Sequence, residues 1–255
     1  MIRRAVLVAL ALVACGDGRA RRTEVVVFAA ASLRDAFTQL GEDFEREHPA
    51  TDVVFHFAGT QELRTQLEHG AAADVFASAD RRQMDALVEA GRVAAPIVFA
   101  RNVPVVIVAP HAADAVRTFV DLPHARHLVL GAPDVPIGGY TKAILERARD
   151  RFGADFPARV DARVVSREAN VRQVATKVRL GEADAAIVYR SDAAGMPGVA
   201  VVAIPGDVNV AAEYPIAVLT DAAHPRLATA WIEHVRSPAG RRALEAAGFA
   251  APDEE

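Results

Sequence analysis

The sequence predicts an α/β protein of two lobes, each a mostly parallel sheet flanked by helices, with a ligand cleft between them. Three observations lead there. A length of 255 residues exceeds one modal domain and leaves room for two modest lobes. Short apolar runs alternate with segments whose apolar residues recur at helical spacing, which is the pattern of strand–helix units. That pattern runs three times and then starts again at Pro104.

The elements follow in order. Arg3 and Arg4 precede an apolar run from Ala5 to Ala14, the shape of a secretory signal. The run is about half the ~20 residues that a membrane-spanning helix needs. Leu12-Val13-Ala14-Cys15 resembles the bacterial lipobox, so residues 1–14 are expected to be removed and Cys15 to carry a lipid. Cys15 is the single cysteine, and no disulfide can form within the chain. Residues 15–23 read as a tether and 251–255 as a frayed tail.

Glu24 to Ala29 is a β-branched run and reads as a buried strand. Leu33, Ala36, Phe37, Leu40 and Phe44 make the stripe of an amphipathic helix, which His48-Pro49 ends. Asp52 to Ala58 is a second strand, with a helix carrying Leu63 and Leu67 closed by Gly70. Asp74 to Ala77 is a third, with a helix around Met84, Leu87 and Val88 closed by Gly91. Pro104 to Ala109 opens the second series, with helical segments near 139–151 and 171–180 and a buried strand from Ala185 to Tyr189. Two strands near 199–204 and 213–219 lead to C-terminal helices around Trp231 and Leu244. The expected division is residues 24–102 plus 214–250 in lobe I and 103–213 in lobe II. The expected crossings are Arg101–Pro104 and Val210–Pro215, and the last two helices return to lobe I.

Composition removes several functions. A net charge of −4, with acids and bases interspersed, lacks the basic stripe that nucleic-acid binding requires. The chain contains no G-x-S-x-G elbow, no H-E-x-x-H and no phosphate-cradling G-x-x-x-x-G-K-[ST]. Its eight histidines are scattered among polar residues. No enzyme is expected.

What remains is a set of strand-to-helix turns. Ser32 and Asp35 stand at capping-box spacing, so Ser32 is expected to cap the first helix. Thr60 follows Gly59 at a helix start, Ile137-Gly138-Gly139 opens another helix, and Asn170-Val171 a third. Each turn offers free backbone N–H groups at the positive end of a helix dipole, which is where anions bind. Taken singly, a Ser or Thr there is only a cap, and Tyr189 reads equally well as a core tyrosine. The physics permits an anion site without selecting it.

A resemblance selects it. Phe28-Ala29-Ala30-Ala31-Ser32-Leu33, Phe57-Ala58-Gly59-Thr60 and Ala73-Asp74-Val75-Phe76-Ala77-Ser78-Ala79-Asp80 resemble the molybdate-binding proteins of the ModA family. So do Gly131-Ala132-Pro133 through Tyr140, Glu168-Ala169-Asn170-Val171-Arg172, Gly181 through Tyr189, and Glu213-Tyr214-Pro215, in the family's order. The likeness spans nearly everything from Glu24 to Phe249. It implies the type II periplasmic-binding-protein fold, capture of molybdate and tungstate, and delivery to an ABC permease in the inner membrane. The protein would act outside the cytoplasmic membrane, held there by its lipid, as a monomer without a cofactor. The same fold binding sulfate or another small oxyanion is the alternative.

Position by position, the resemblance implies a site made by Ser32 and Thr60 in lobe I and by Ile137, Val171 and Tyr189 in lobe II. The first two would give hydroxyl and backbone N–H donors, Ile137 and Val171 backbone N–H, and Tyr189 its phenol. These would hold molybdenum as an oxyanion, not as a ligated cation. The family commonly has serine where this chain has Thr60 and alanine where it has Ile137, changes that bear on cavity size. A site of neutral donors alone would favour a fully ionised anion over one that carries a proton.

Overall fold

The computed structural model describes residues 22–253. The expected signal segment and Cys15 lie outside the described residues.

The chain begins with strands β1 (Thr23–Ala30), β2 (Thr51–Ala58), β3 (Val75–Ala77) and β4 (Ile97–Asn102). Between them lie helices α1 (Arg34–Glu47), α2 (Thr60–Glu68) and α3 (Arg81–Glu89). It then forms β5 (Pro104–Val108), β6 (Leu128–Gly131), α4 (Pro136–Phe152), α5 (Phe156–Asp161) and β7 (Val164–Glu168). Next come α6 (Val171–Arg179), β8 (Ala185–Tyr189), α7 (Arg190–Ala194) and β9 (Ala200–Ala203). It ends with β10 (Ala212–Val218), α8 (Pro225–Arg236) and α9 (Pro238–Ala246).

Two five-stranded sheets result, in the orders β2-β1-β3-β10-β4 and β7-β6-β8-β5-β9. In each, four strands run one way and one runs against them: β10 opposes β3 and β4, and β5 opposes β8 and β9. The opposed strands are the ones the chain enters on passing between sheets. β4 ends at Asn102 and β5 begins at Pro104, paired there with Tyr189 at the end of β8. β10 begins at Ala212, paired with Asn102. Both passages therefore leave from the carboxyl ends of the parallel strands. A strand that starts at that edge can only run back the other way. The two passages mark the floor of a cleft toward which both sheets point their carboxyl ends.

The strands near 199–204 and 213–219 do not pair with each other, because β9 edges the second sheet and β10 lies inside the first. Sequence periodicity also passes over β4, β6 and β7.

The helices take their places through apolar faces. Ala36, Phe37, Leu40 and Phe44 of α1 are buried. Trp231 of α8, fully buried, meets Phe37 edge-on at 5.5 Å and Phe44 at 5.6 Å. That aromatic cluster ties the C-terminal helices to the first sheet. Among the described residues no helix is long and apolar enough to cross a membrane.

Candidate functional site

A cavity with about 210 Å³ of atom-free space, its mouth included, lies between the two sheets. Its walls are Ala30 ending β1, Ala31 and Ser32 just beyond it, Gly59 and Thr60 after β2, and Ala79 after β3. From the other lobe come Val135, Pro136 and Ile137 after β6, Asn170 and Val171 after β7, and Tyr189 ending β8. Crevices beyond the carboxyl ends of strands are where open α/β sheets bind ligands.

All five residues singled out in the sequence line this one cavity. Thr60 is the first residue of α2, 1% exposed, and its Oγ1 accepts the Ala79 N–H at 3.2 Å. Accepting there leaves its own proton free to point elsewhere. Ile137 is the second residue of α4, behind Pro136. The Gly139 N–H already bonds the Val135 carbonyl at 2.9 Å, so the Ile137 amide belongs to the turn ahead of the helical ladder. Val171 opens α6, where the Asn170 side chain caps the helix by accepting the Gln173 N–H at 3.1 Å. The close seating of α4 needs glycine: a β-carbon on Gly138 would stand 1.9 Å from the Ala132 carbonyl oxygen.

Ser32 departs from its expected role. It sits in a single tight turn, Ala31–Leu33, that precedes α1, and the N-cap position falls on Leu33 without a side-chain bond. Its Oγ lies instead 2.8 Å from the Tyr214 hydroxyl, and the residue is 2% exposed. The long-range partner wins because it is a buried phenol that must itself be satisfied.

Tyr189 is the most informative. Its ring is buried, meeting Tyr140 and Tyr214 edge-on at 6.3 and 5.8 Å, yet its hydroxyl has no hydrogen-bond partner among the described residues. A buried polar group left unpaired is costly, so this hydroxyl is available to a bound ligand. Burial also drives the phenol well above its usual ionisation range, so it remains a donor.

Among the described residues no charged side chain lines the cavity. Charge lies close by at its edge. Arg172 of α6 meets the buried Asp192 of α7 at 3.0 Å and reaches across to Asp35 of α1 at 2.7 Å. Burial pushes the Asp192 carboxyl up to about 7, with Arg172 pulling the other way. Among the described residues no cluster of His, Cys, Asp and Glu could hold a metal ion.

The lobes are closed on each other. The Gln61 amide donates to the Ala169 carbonyl at 2.8 Å, and Arg82 and Gln83 donate to the Asp134 carbonyl at 2.7 and 3.3 Å. Sequence reasoning missed these, and also Asn102 and Tyr214 behind the cavity. Glu213-Tyr214-Pro215 stood out only as a family segment, with no local feature to reveal that its tyrosine reaches Ser32.

Two α/β lobes that close over an uncharged, donor-lined cavity define a solute-binding protein. The family model described as bacterial extracellular solute-binding protein matches residues 25–250, and the chain belongs to that family. It is 42% identical to the molybdate-binding protein ModA of Mycobacterium tuberculosis, over 94% of this chain and 93% of that one. The fold is that of the periplasmic molybdate-binding protein of Azotobacter vinelandii (TM-score 0.76, 19% identity, covering 90% of this chain and 100% of that one). It is equally that of the sulfate-binding protein SubI of Mycobacterium tuberculosis (TM-score 0.80, 18% identity, 91% and 88%).

Proposed function

We propose that this protein captures molybdate, and tungstate with it, outside the cytoplasmic membrane and delivers it to an ABC import permease. The observation that carries the reading is the Tyr189 hydroxyl, buried and unpartnered, facing a cavity lined by neutral donors. The 42% relative supports the choice of oxyanion. A buried dianion loses its water and must be hydrogen-bonded at every oxygen. Bonds from neutral donors to a charged acceptor contribute about 1.5–3 kcal/mol each, so Ser32, Thr60, Tyr189 and the amides of Ile137 and Val171 could together hold one tightly. Closure then presents the permease with a surface that only the loaded protein keeps populated. Cys15, lipid-modified, would keep the protein at the membrane.

The sulfate-binding neighbour favours a second reading, in which the same cavity takes sulfate, an anion of the same charge and shape. Calorimetric titration of the purified protein with molybdate, tungstate, sulfate and phosphate decides between them. Tight molybdate or tungstate with weak sulfate is the expected result. Sulfate winning would replace the ligand, and heat from none of the four would overturn both readings. For the anchor, Cys15→Ala is expected to leave the detergent phase that retains the wild type.

A further inference from the structure

Behind Ser32 lies a buried chain of polar groups that stands outside the cavity wall. The Ser32 Oγ is 2.8 Å from the Tyr214 hydroxyl. The Tyr214 hydroxyl is in turn 3.5 Å from the side-chain nitrogen of Asn102. That same nitrogen donates to the Ser191 Oγ at 2.8 Å, while the Asn102 carbonyl oxygen accepts the Val103 N–H at 3.0 Å. Asn102 and Tyr214 have no exposed surface, and they stand on the two strands where the chain passes between lobes.

The donors and acceptors in this chain can be ordered. The Val103 contact fixes which end of the Asn102 amide is oxygen, so the end facing Tyr214 is the NH₂ group, which cannot accept. The 3.5 Å contact is long and contributes little by itself. Its consequence is directional: the phenol proton has no acceptor there. Among the described residues the remaining hydrogen-bond partner of that hydroxyl is the Ser32 Oγ. Tyr214 therefore donates to Ser32, which leaves the Ser32 proton turned away from Tyr214 and available to the cavity that Ser32 lines. Thr60 is set the same way on its own side by the Ala79 N–H.

We propose that Tyr214 is a positioning residue that fixes the Ser32 hydroxyl as a donor into the cavity, and so tightens the exclusion of oxyanions that carry a proton. The inference rests on the oxyanion-binding reading above. Without Tyr214, Ser32 is free to turn a lone pair toward the ligand and accept its O–H, as a hydrogen phosphate would require. With Tyr214 in place, accepting from the ligand as well would use both lone pairs of Ser32 and leave its own proton without an acceptor among the described residues. Each link also polarises the next, so the Ser32 proton is a stronger donor than a lone serine offers.

The test is a double-mutant cycle on purified protein, with molybdate and inorganic phosphate as probes, read by calorimetry at neutral pH. Tyr214→Phe is expected to weaken molybdate binding by roughly fivefold to tenfold. Phosphate binding should be unchanged or stronger, so the preference for molybdate narrows by at least that factor. In the Ser32→Ala background the same Tyr214→Phe change should do nothing further, because the effect runs through Ser32. Equal losses in both backgrounds, or equal losses for both anions, would show that Tyr214 acts by shape and overturn the proposal. A Tyr214→Phe protein with wild-type affinity and preference would overturn it too. A wild type that takes up no oxyanion overturns this proposal together with the reading beneath it, and is seen before any substitution is made.

Discussion

Gly59 on the first lobe and the carbonyl oxygen of Ala169 on the second approach so closely that a β-carbon on Gly59 would stand 2.4 Å from that oxygen. The contact exists only while the lobes are closed. Neither lobe needs it to fold, since Gly59 lies at the N-cap of α2 with ordinary backbone angles of φ −59 and ψ 135. Gly59→Ala should therefore hold the lobes slightly apart and weaken the closed, liganded state. The expectation is a loss of affinity of about tenfold, or ~1.4 kcal/mol, with the thermal midpoint of the ligand-free protein little changed. Calorimetry and a melting curve check this together. A fall in the ligand-free midpoint would instead locate the damage inside lobe I.

Tyr189→Phe separates affinity from stability. The hydroxyl it removes has no partner among the described residues, so its loss leaves none of them unsatisfied. Without ligand, the variant should melt at or above the wild-type temperature. With molybdate, it should lose a bond of about 1.5–3 kcal/mol, which is roughly tenfold to a hundredfold in affinity. A variant that melts lower and binds normally would make Tyr189 a core residue and remove it from the site.

How far each feature was legible depends on the range of the interaction behind it. β1 reads directly, because Val25, Val26 and Val27 form a run whose burial is nearly continuous. The starts of α2, α4 and α6 read from local chemistry at Thr60, Pro136 and Asn170. β7 does not: Val164–Glu168 alternates between half-buried and exposed and carries Arg167 and Glu168, so nothing local marks it as the edge strand it is. Ser32 was misread for the same reason. Its spacing to Asp35 is that of a cap, while the bond it makes goes to Tyr214, 182 residues away. The gathering of these five residues from five turns around one cavity is visible only through resemblance, because periodicity places a turn at the end of a strand and does not say which ends converge.

Arg172 joins the lobes at the rim of the cleft, and its two bonds should behave differently. Asp35 is about three-fifths exposed, so its link to Arg172 is screened and is worth no more than about 0.2–1 kcal/mol. Asp35→Asn should cost less than about fivefold in molybdate affinity, and that cost should disappear at high salt. Arg172→Met goes further, because it strands the buried Asp192 carboxylate without its counter-charge. It should lower the thermal midpoint even without ligand, and more at pH 8 than at pH 5. Equal, salt-insensitive effects of the two substitutions would contradict this division.

Asp192 gives the protein a pH dependence whose sign is fixed by its burial. Its carboxyl stands at about 7 in the fold against 3.8 ordinarily, burial raising it more than Arg172 lowers it. Between those values the folded chain keeps a proton that the unfolded chain has released. The folded state then binds more protons, so stability falls as pH rises through this window and levels off above about 7. The other titratable groups are common to wild type and variant, so the difference between the two isolates Asp192. Asp192→Asn should flatten the decline in thermal midpoint between about pH 4.5 and pH 8. The variant cannot ionise, so its midpoint should lose least against wild type at the alkaline end, where the wild type carries the buried charge. Parallel curves for the two proteins would mean that Asp192 keeps one protonation state throughout. In that case its ion pair with Arg172, and not its burial, would set its ionisation.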